Sequence, residues 1–223
     1  HEIKNPLTPI QLSAERLKRK YLVEIESDPD TFVQCTDTII RQVDSLRRLV
    51  DEFSDFARMP AAMKEWCNFS ALVRASVVLQ QNAEPTITFA VLGLEDDVQA
   101  YCDQDQLSQV MTNVLQNASQ AIMQRPAGAA AGEVSVSLTG DDDWITIDVS
   151  DNGVGLPPQV RERLTDPYVT TKAKGTGLGL AIVQKIVSDH DGWLRFSDRP
   201  EGGARIQIGF KARPADEEAK RGA

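Results

Sequence analysis

The run Asp151-Asn-Gly-Val-Gly155, followed twenty residues on by Gly175-Thr-Gly-Leu-Gly-Leu180, constrains this chain more than any other feature. The first run closes a β-branched segment, Trp144-Ile-Thr-Ile-Asp-Val-Ser150. The second opens an apolar run with helical spacing at Leu178, Ile182, Ile186 and Val187. Glycines between a strand and a helix let backbone N–H groups approach an anion, and the helix N-terminus adds favourable partial charge. One such loop is weak, because glycine is common in ordinary turns. Two in this order, downstream of an asparagine-bearing helix, point to a nucleotide site.

The rest of the chain narrows the setting. Its 223 residues can form one large domain or two modest ones. A hydrophobic content of 41% with 26% charged residues fits a soluble globular protein. The net charge of −9 argues against a nucleic-acid partner. It leaves ATP open, since a nucleotide needs only a few local donors and often a divalent cation. Cys35, Cys67 and Cys102 are widely spaced and form no CxxC pair, which disfavours a disulfide framework or a zinc site. A reducing compartment follows. No apolar run reaches bilayer length and no signal peptide is visible, so no membrane contact is expected in this stretch. Beginning at His1 inside a patterned segment, the chain reads as a fragment of something longer.

Apolar residues at Ile3, Leu7, Ile10, Ala14, Leu17 and Tyr21 make a heptad-like seam, with Pro6 and Pro9 predicting a bend in its first turns. Ser27-Asp-Pro-Asp30 reads as a turn, with Asp30 or Ser27 as N-cap for a second helix. That helix carries a seam at Phe32, Thr36, Ile39, Val43, Leu46, Val50 and Phe53. Two such helices form an antiparallel hairpin whose stripes are naturally buried by dimerisation into a four-helix bundle. Met59-Pro-Ala-Ala-Met63 breaks the pattern. The expected organisation is a hairpin over 1–59, a linker at 60–65, a second domain over 66–212 and a disordered tail at 213–223.

Within the second domain, strands are expected near 66–69, 86–91, 133–138, 144–150, 193–196 and 204–210. Helices are expected near 70–81, 104–123 and from 176 to about 190, with an irregular loop over 152–176. Strands separated by helices, with a strand pair at the end, predict an α+β protein: the hairpin, then a mixed sheet covered by helices on one face.

Asn113 and Asn117 lie four apart on one helix face, although helix interiors disfavour asparagine. A solvated surface would explain one of them. Two suggest an amide oxygen from Asn117 for Mg²⁺ and a contact from Asn113 to phosphate or lid. Asp151, at a strand end, is placed to accept from the exocyclic amine of adenine, against the plainer reading of a turn-forming Asp before Asn-Gly.

These motifs, in order, resemble the N, G1, F and G2 boxes of the ATP-binding domain of sensor histidine kinases, the GHKL or Bergerat fold. They are Asn113 with Asn117-Ala, Asp151-x-Gly153-x-Gly155, Tyr168-Val-Thr-Thr-Lys172 and Gly175-x-Gly177-x-Gly179. His1-Glu-Ile-Lys-Asn5-Pro-Leu-Thr-Pro resembles the phosphoacceptor H-box that precedes that domain, and its continuation is similar to NtrY-type kinases of nitrogen-related systems. The resemblance implies ATP and Mg²⁺ as cofactors, held by Asn113, Asn117, Gln120, Asp151, Gly153, Gly155, Tyr168, Thr170, Thr171, Lys172, Gly175, Thr176, Gly177, Leu178 and Gly179. It implies Asn117 as metal ligand, a homodimer, an NtrX-like response-regulator partner and a parent protein anchored in a membrane. His1 would be the nucleophile, Glu2 the base or orienter, and Asn5 a residue that positions water for dephosphorylating the partner.

Two departures stand out. Thr165 occupies the place where many members carry a lid Phe, and Gly202-Gly203-Ala204 replaces the usual Gly-Gly-Thr near the final strand. Related ATPases that hydrolyse ATP carry a Glu four residues before the metal-binding Asn, where this chain has Asn113. Phosphoryl transfer is therefore expected over hydrolysis or a non-catalytic scaffold. His190 is expected to be structural or solvated.

Overall fold

The structure, a computed structural model, describes residues 4–25, 27–93, 97–141, 143–172 and 175–212, with the backbone alone at positions 4, 5 and 55. The chain divides into two units, His1–Met59 with Lys172–Thr176, and Pro60–Thr171 with Gly177–Ala223.

The first unit is the expected hairpin, α1 (Lys4–Tyr21) and α2 (Pro29–Ala57). Asp28 caps α2, its carboxylate accepting from the Thr31 backbone N–H at 3.0 Å. This displaces the expected caps Ser27 and Asp30. Pro29 explains the shift: its fixed φ and missing N–H suit a first helical position, so the residue before it becomes the cap. Lys18 pairs with Asp37 at 2.6 Å near one end of the hairpin, and Arg47 donates to the Thr8 hydroxyl at 2.8 Å near the other. The heptad seams split between two surroundings. Leu7, Ala14, Thr36 and Val43 are at most 5% exposed, whereas Ile10, Leu17, Ile39, Leu46 and Phe53 are 43–49% exposed. Thr36 is tolerated inside because its hydroxyl donates back to the Phe32 and Val33 carbonyls.

The second unit is built from β1 (Glu65–Asn68), α3 (Phe69–Ala83), β2 (Ile87–Leu92), β3 (Gln99–Cys102), α4 (Gln104–Met123), β4 (Gly132–Gly140) and β5 (Trp144–Asp151). A lid with a 3-10 turn at Pro158–Arg163 follows, then α5 (Gly179–Asp189), β6 (Trp193–Asp198) and β7 (Ala204–Lys211). Five strands form a mixed sheet in the order β2-β4-β5-β7-β6, with only β2 and β4 parallel. Along β5 burial alternates with a period of two: Ile145, Ile147, Val149 and Asp151 point inward, each at most 3% exposed. That face meets α3, α4 and α5, whose fully buried Val73, Leu107, Met111, Leu115 and Ile186 complete the core.

Two elements depart from the expectation. β1 does not join the main sheet but forms a separate antiparallel ribbon with β3, a strand the residue pattern does not announce. Gln-Ala-Tyr-Cys is too short to show alternation, and its pairing with Glu65–Asn68 makes it a strand. The loop expected over 152–176 contains the 3-10 turn, which Pro157 and Pro158 start by fixing φ. Residues 60–65, read as linker, are fastened to the start of α4. Asp103 accepts from the Met63 N–H at 2.8 Å, and the Gln106 amide donates to the Pro60 carbonyl at 3.1 Å.

His190 is structural, at the C-cap of α5 and 4% exposed. Its Nε2 accepts from the Asp103 N–H at 3.0 Å, so Nδ1 carries the proton and donates to the Ile186 carbonyl at 2.8 Å. The ring therefore joins the end of α5 to the start of α4 in the neutral form. Burial holds its pKa below the usual 6.5; the Ile186 carbonyl acts against this, Lys64 with it, and Asp103 and Asp189 against it. With the folded pKa lowered, the unfolded chain binds more protons near pH 6.5. This stabilisation is complete above the unfolded pKa and is lost as pH falls toward the folded value. Thermal melts at about pH 7.5 and about pH 5.5 check this: the drop in Tm is expected to be larger for the native chain than for His190→Gln. Equal drops would remove His190 as the cause.

Candidate nucleotide site

The strand period places Asp151 on the buried face in phase with Ile145, Ile147 and Val149, so its carboxylate ends a core stripe beside α4. Its Oδ1 accepts from the Gly153 N–H at 2.8 Å and lies 3.4 Å from the Ala204 N–H. The turn after it has no room for side chains. A Cβ on Gly153 would lie 2.6 Å from the Ala121 backbone, and one on Gly203, at φ +99°, would lie 2.0 Å from the Asp151 carbonyl oxygen. The Val154 N–H donates to the Ala121 carbonyl at 3.2 Å, tying the turn to α4. Ala204 stands beside Asp151, so the residue that departs from the expected Gly-Gly-Thr lies at the carboxylate itself.

α4 begins with Asp103 as N-cap and buries Leu107, Val110, Met111, Val114, Leu115 and Ala118. Asn113 and Asn117 flank that stripe, each half-buried, while Gln120 is exposed. The Asn113 Nδ2 donates to the Gln109 carbonyl at 3.0 Å, which leaves its Oδ1 facing α5. A Cβ on Gly179 would meet Asn113 Oδ1 at 3.0 Å and Asn117 Nδ2 at 3.8 Å. Both amides thus converge on the first residue of α5. That helix starts at Leu178 without a side-chain cap, and its first turns bury Leu178, Ala181, Ile182 and Val183. Its opening N–H groups are oriented as an anion would need them.

The lid is closed at its neck. The Tyr168 N–H donates to the Gly177 carbonyl at 3.1 Å, both residues have left-handed backbones (φ +68° and +72°), and a Cβ on Gly177 would lie 2.6 Å from the Tyr168 backbone. Thr170 and Thr171 lie in the same unit, both exposed, and Gly155 at φ +79° completes the first glycine turn. Lys172, Gly175 and Thr176 group instead with the helical unit, where the Thr176 hydroxyl donates to the Glu52 carboxylate. His1, Glu2 and Lys174 lie outside the described residues, and Asn5 is described by its backbone alone, in the first turn of α1.

Asn152, which the sequence marks only as a turn residue, holds the turn after Asp151 from the other side. Its Oδ1 accepts from the Glu133 N–H at 3.0 Å and its Nδ2 donates to the Ala131 carbonyl at 2.8 Å, while its own N–H donates to the Glu133 carbonyl at 3.2 Å. The side-chain amide imitates a strand partner and clamps the glycine turn to the start of β4. An asparagine directly before glycine at a strand end was the available signal, but a turn role explains it equally well.

A model described as histidine kinase-, DNA gyrase B- and HSP90-like ATPase matches residues 102–214, and one for the His Kinase A (phospho-acceptor) domain matches residues 1–62. The chain belongs to the sensor histidine kinase family. Nitrogen regulation protein NtrY of Azorhizobium caulinodans is 48% identical over 99% of this chain and 29% of its own length. A putative NtrY-like sensor histidine kinase of Rickettsia felis is 38% identical over 97% of this chain and 35% of its own. The chain thus spans about a third of the curated relatives it matches. Among solved structures, the mycobacterial sensor histidine kinase MprB is 29% identical with a TM-score of 0.58, covering 68% of this chain and 99% of the other. Among the described residues, no helix is long and apolar enough to cross a membrane.

Asn152→Ala removes two side-chain hydrogen bonds at the turn that carries Asp151. It is expected to cost about 1–3 kcal/mol of stability in the second unit and to weaken nucleotide binding. Denaturant melts with fluorescent-nucleotide titration check both. Unchanged nucleotide affinity would confine Asn152 to stability.

Proposed function

We propose that this chain is the catalytic core of an ATP-dependent protein histidine kinase. ATP would bind the second unit and its γ-phosphoryl group would pass to His1. The observation that carries this reading is the convergence of Asn113 and Asn117 on Gly179, at an uncapped helix N-terminus. Asp151, ending the core stripe of β5, would recognise the adenine amine, and Gly153 and Gly155 would let the base approach the backbone. Gln120 would line the same helix edge. Tyr168, Thr170, Thr171, Lys172, Gly175, Thr176, Gly177 and Leu178 would close over the phosphates when the lid engages them.

The donor set suits Mg²⁺: neutral amide oxygens are hard ligands of the kind this cation prefers. Asn117 would hold the ion, which would supply charge neutralisation between the phosphates. The protein's remaining share is positioning. An imidazole nitrogen of His1 attacks the γ-phosphorus, the bond to the ADP oxygen breaks, and Glu2 accepts the proton released from the other ring nitrogen. A carboxylate of a response-regulator receiver domain, NtrX-like by family resemblance, then takes the phosphoryl group. Asn5 would position water for the reverse removal of phosphate from that partner. Asn113, an amide where hydrolysing relatives place a Glu, offers no base to activate water.

A homodimer through the hairpin is part of the same reading. Ile10, Leu17, Ile39, Leu46 and Phe53 put one half of each heptad seam at the surface, which a second hairpin would cover.

The test is autophosphorylation by the whole protein that carries this chain, with γ-labelled ATP, beside His1→Gln, Asn117→Ala and Asp151→Asn. Acid-labile label is expected on the native protein. Loss of about 100-fold or more is expected in each variant, with nucleotide affinity kept only in His1→Gln. Phosphate release without protein label would overturn the kinase reading in favour of an ATPase, and nucleotide binding with neither would leave a scaffold.

A further inference from the structure

The small ribbon of β1 and β3 carries a pair of thiols that the nucleotide site does not use. Its register pairs Glu65 with Cys102 and Cys67 with Ala100, so Cys67 and Cys102 are diagonal neighbours on one face. That face is the inner one: the two cysteines are 5% and 1% exposed. Trp66 and Tyr101 pack against each other on the other face at 5.9 Å between ring centroids. The sulfurs of Cys67 and Cys102 lie 2.9 Å apart, inside van der Waals contact, and either thiol can donate to the other. The third cysteine, Cys35, is exposed on α2.

We propose that Cys67 and Cys102 are a modification site, oxidised reversibly to an intramolecular disulfide by a peroxide. The sulfurs need to close by less than about 1 Å to reach bonding distance. In the first step one thiol, deprotonated, attacks a peroxide oxygen. The O–O bond breaks, one water leaves and a sulfenic acid remains. The second sulfur then attacks the first, the S–O bond breaks and a second water carries away the remaining oxygen and proton. Two thiols and one hydrogen peroxide give one disulfide and two waters.

Burial sets the pace. It pushes the Cys102 thiol pKa up, with the neighbouring Cys67 thiol acting in the same direction, so thiolate is scarce in the closed ribbon. Two strands of four residues are marginal alone, and transient opening of the ribbon gives the oxidant access. The consequence is mechanical. Cys67 directly precedes Asn68, the N-cap of α3, and Cys102 directly precedes Asp103, the N-cap of α4. A bond between them ties together the starts of two core helices, one of which carries Asn113 and Asn117.

The experiment treats the whole protein with hydrogen peroxide, stops the reaction with catalase, unfolds the chain and alkylates the remaining thiols for peptide mass mapping. Cys67 and Cys102 are expected to leave the alkylated pool together and reappear as one cross-linked peptide pair. Dithiothreitol should restore both. The oxidised protein should melt roughly 5 °C higher, a shift absent in Cys67→Ala and kept in Cys35→Ser. Full alkylation of all three thiols after peroxide would overturn the proposal. So would cross-links that join Cys35 between chains while Cys67 and Cys102 stay reduced. Mapping on the unsubstituted protein decides the matter even if Cys67→Ala fails to fold. Kinase activity enters none of these readouts, so the proposal stands or falls apart from the function above.

Discussion

One ridge of α4 lies against both glycine loops, and the site depends on that contact. Residues spaced by four share a helix edge. Asn113 and Asn117 face Gly179 at the start of α5, and Ala121, one turn on, touches Gly153 in the turn after β5. At Gly153 the approach leaves no room for a side chain, since a Cβ would lie 2.6 Å from the Ala121 backbone, whereas at Gly179 a Cβ would press on the Asn113 amide oxygen at 3.0 Å. The hydrophobic stripe beside this ridge, from Leu107 to Ile122, holds α4 at a fixed height over the sheet. Core packing thereby sets the distance between the residue that would read a base and those that would meet phosphates.

The lid shows the same economy at a cost. Tyr168 holds a left-handed backbone, which a non-glycine residue adopts at roughly 1–3 kcal/mol. The hydrogen bond from its N–H to Gly177 and the close approach of the two backbones hold it there. Strain is thus concentrated where a loop must leave and re-enter the domain at one point. Between these two residues Val169–Thr171 stay with the second unit, and Lys172–Thr176 group with the helices.

Much of this was legible in the residues. The heptad seams gave the hairpin, and the alternation Ile145, Ile147, Val149 gave β5. The same alternation, carried one step further, also buries Asp151, which sets it apart from an exposed turn aspartate. What the pattern could not show depends on pairing or local competition. β3 is a strand because Glu65–Asn68 lies beside it. Asp28 outcompetes Ser27 and Asp30 as cap because of Pro29. Asn152 reads as a turn residue until Ala131 and Glu133 are seen within reach. Cys67 and Cys102, far apart in sequence and without a motif, meet only through the ribbon. The departures at Thr165 and Ala204 were visible as letters, but only the structure puts Ala204 against Asp151.

The parallel pairing of β2 with β4 has a kinetic side. Ile87 meets Gly132 only after the chain has passed through β3 and the whole of α4, whereas every other pair in the sheet is antiparallel. Long-range parallel pairing is slow to form, because a large loop must close before any contact rewards it. The helix that carries Asn113 and Asn117 is itself the crossover. A chain that has not closed this edge leaves β2 unpaired, while α4 is held by α3, α5, β4 and β5. The β2 edge is therefore expected to form more slowly than the local β4–β5 hairpin beside it.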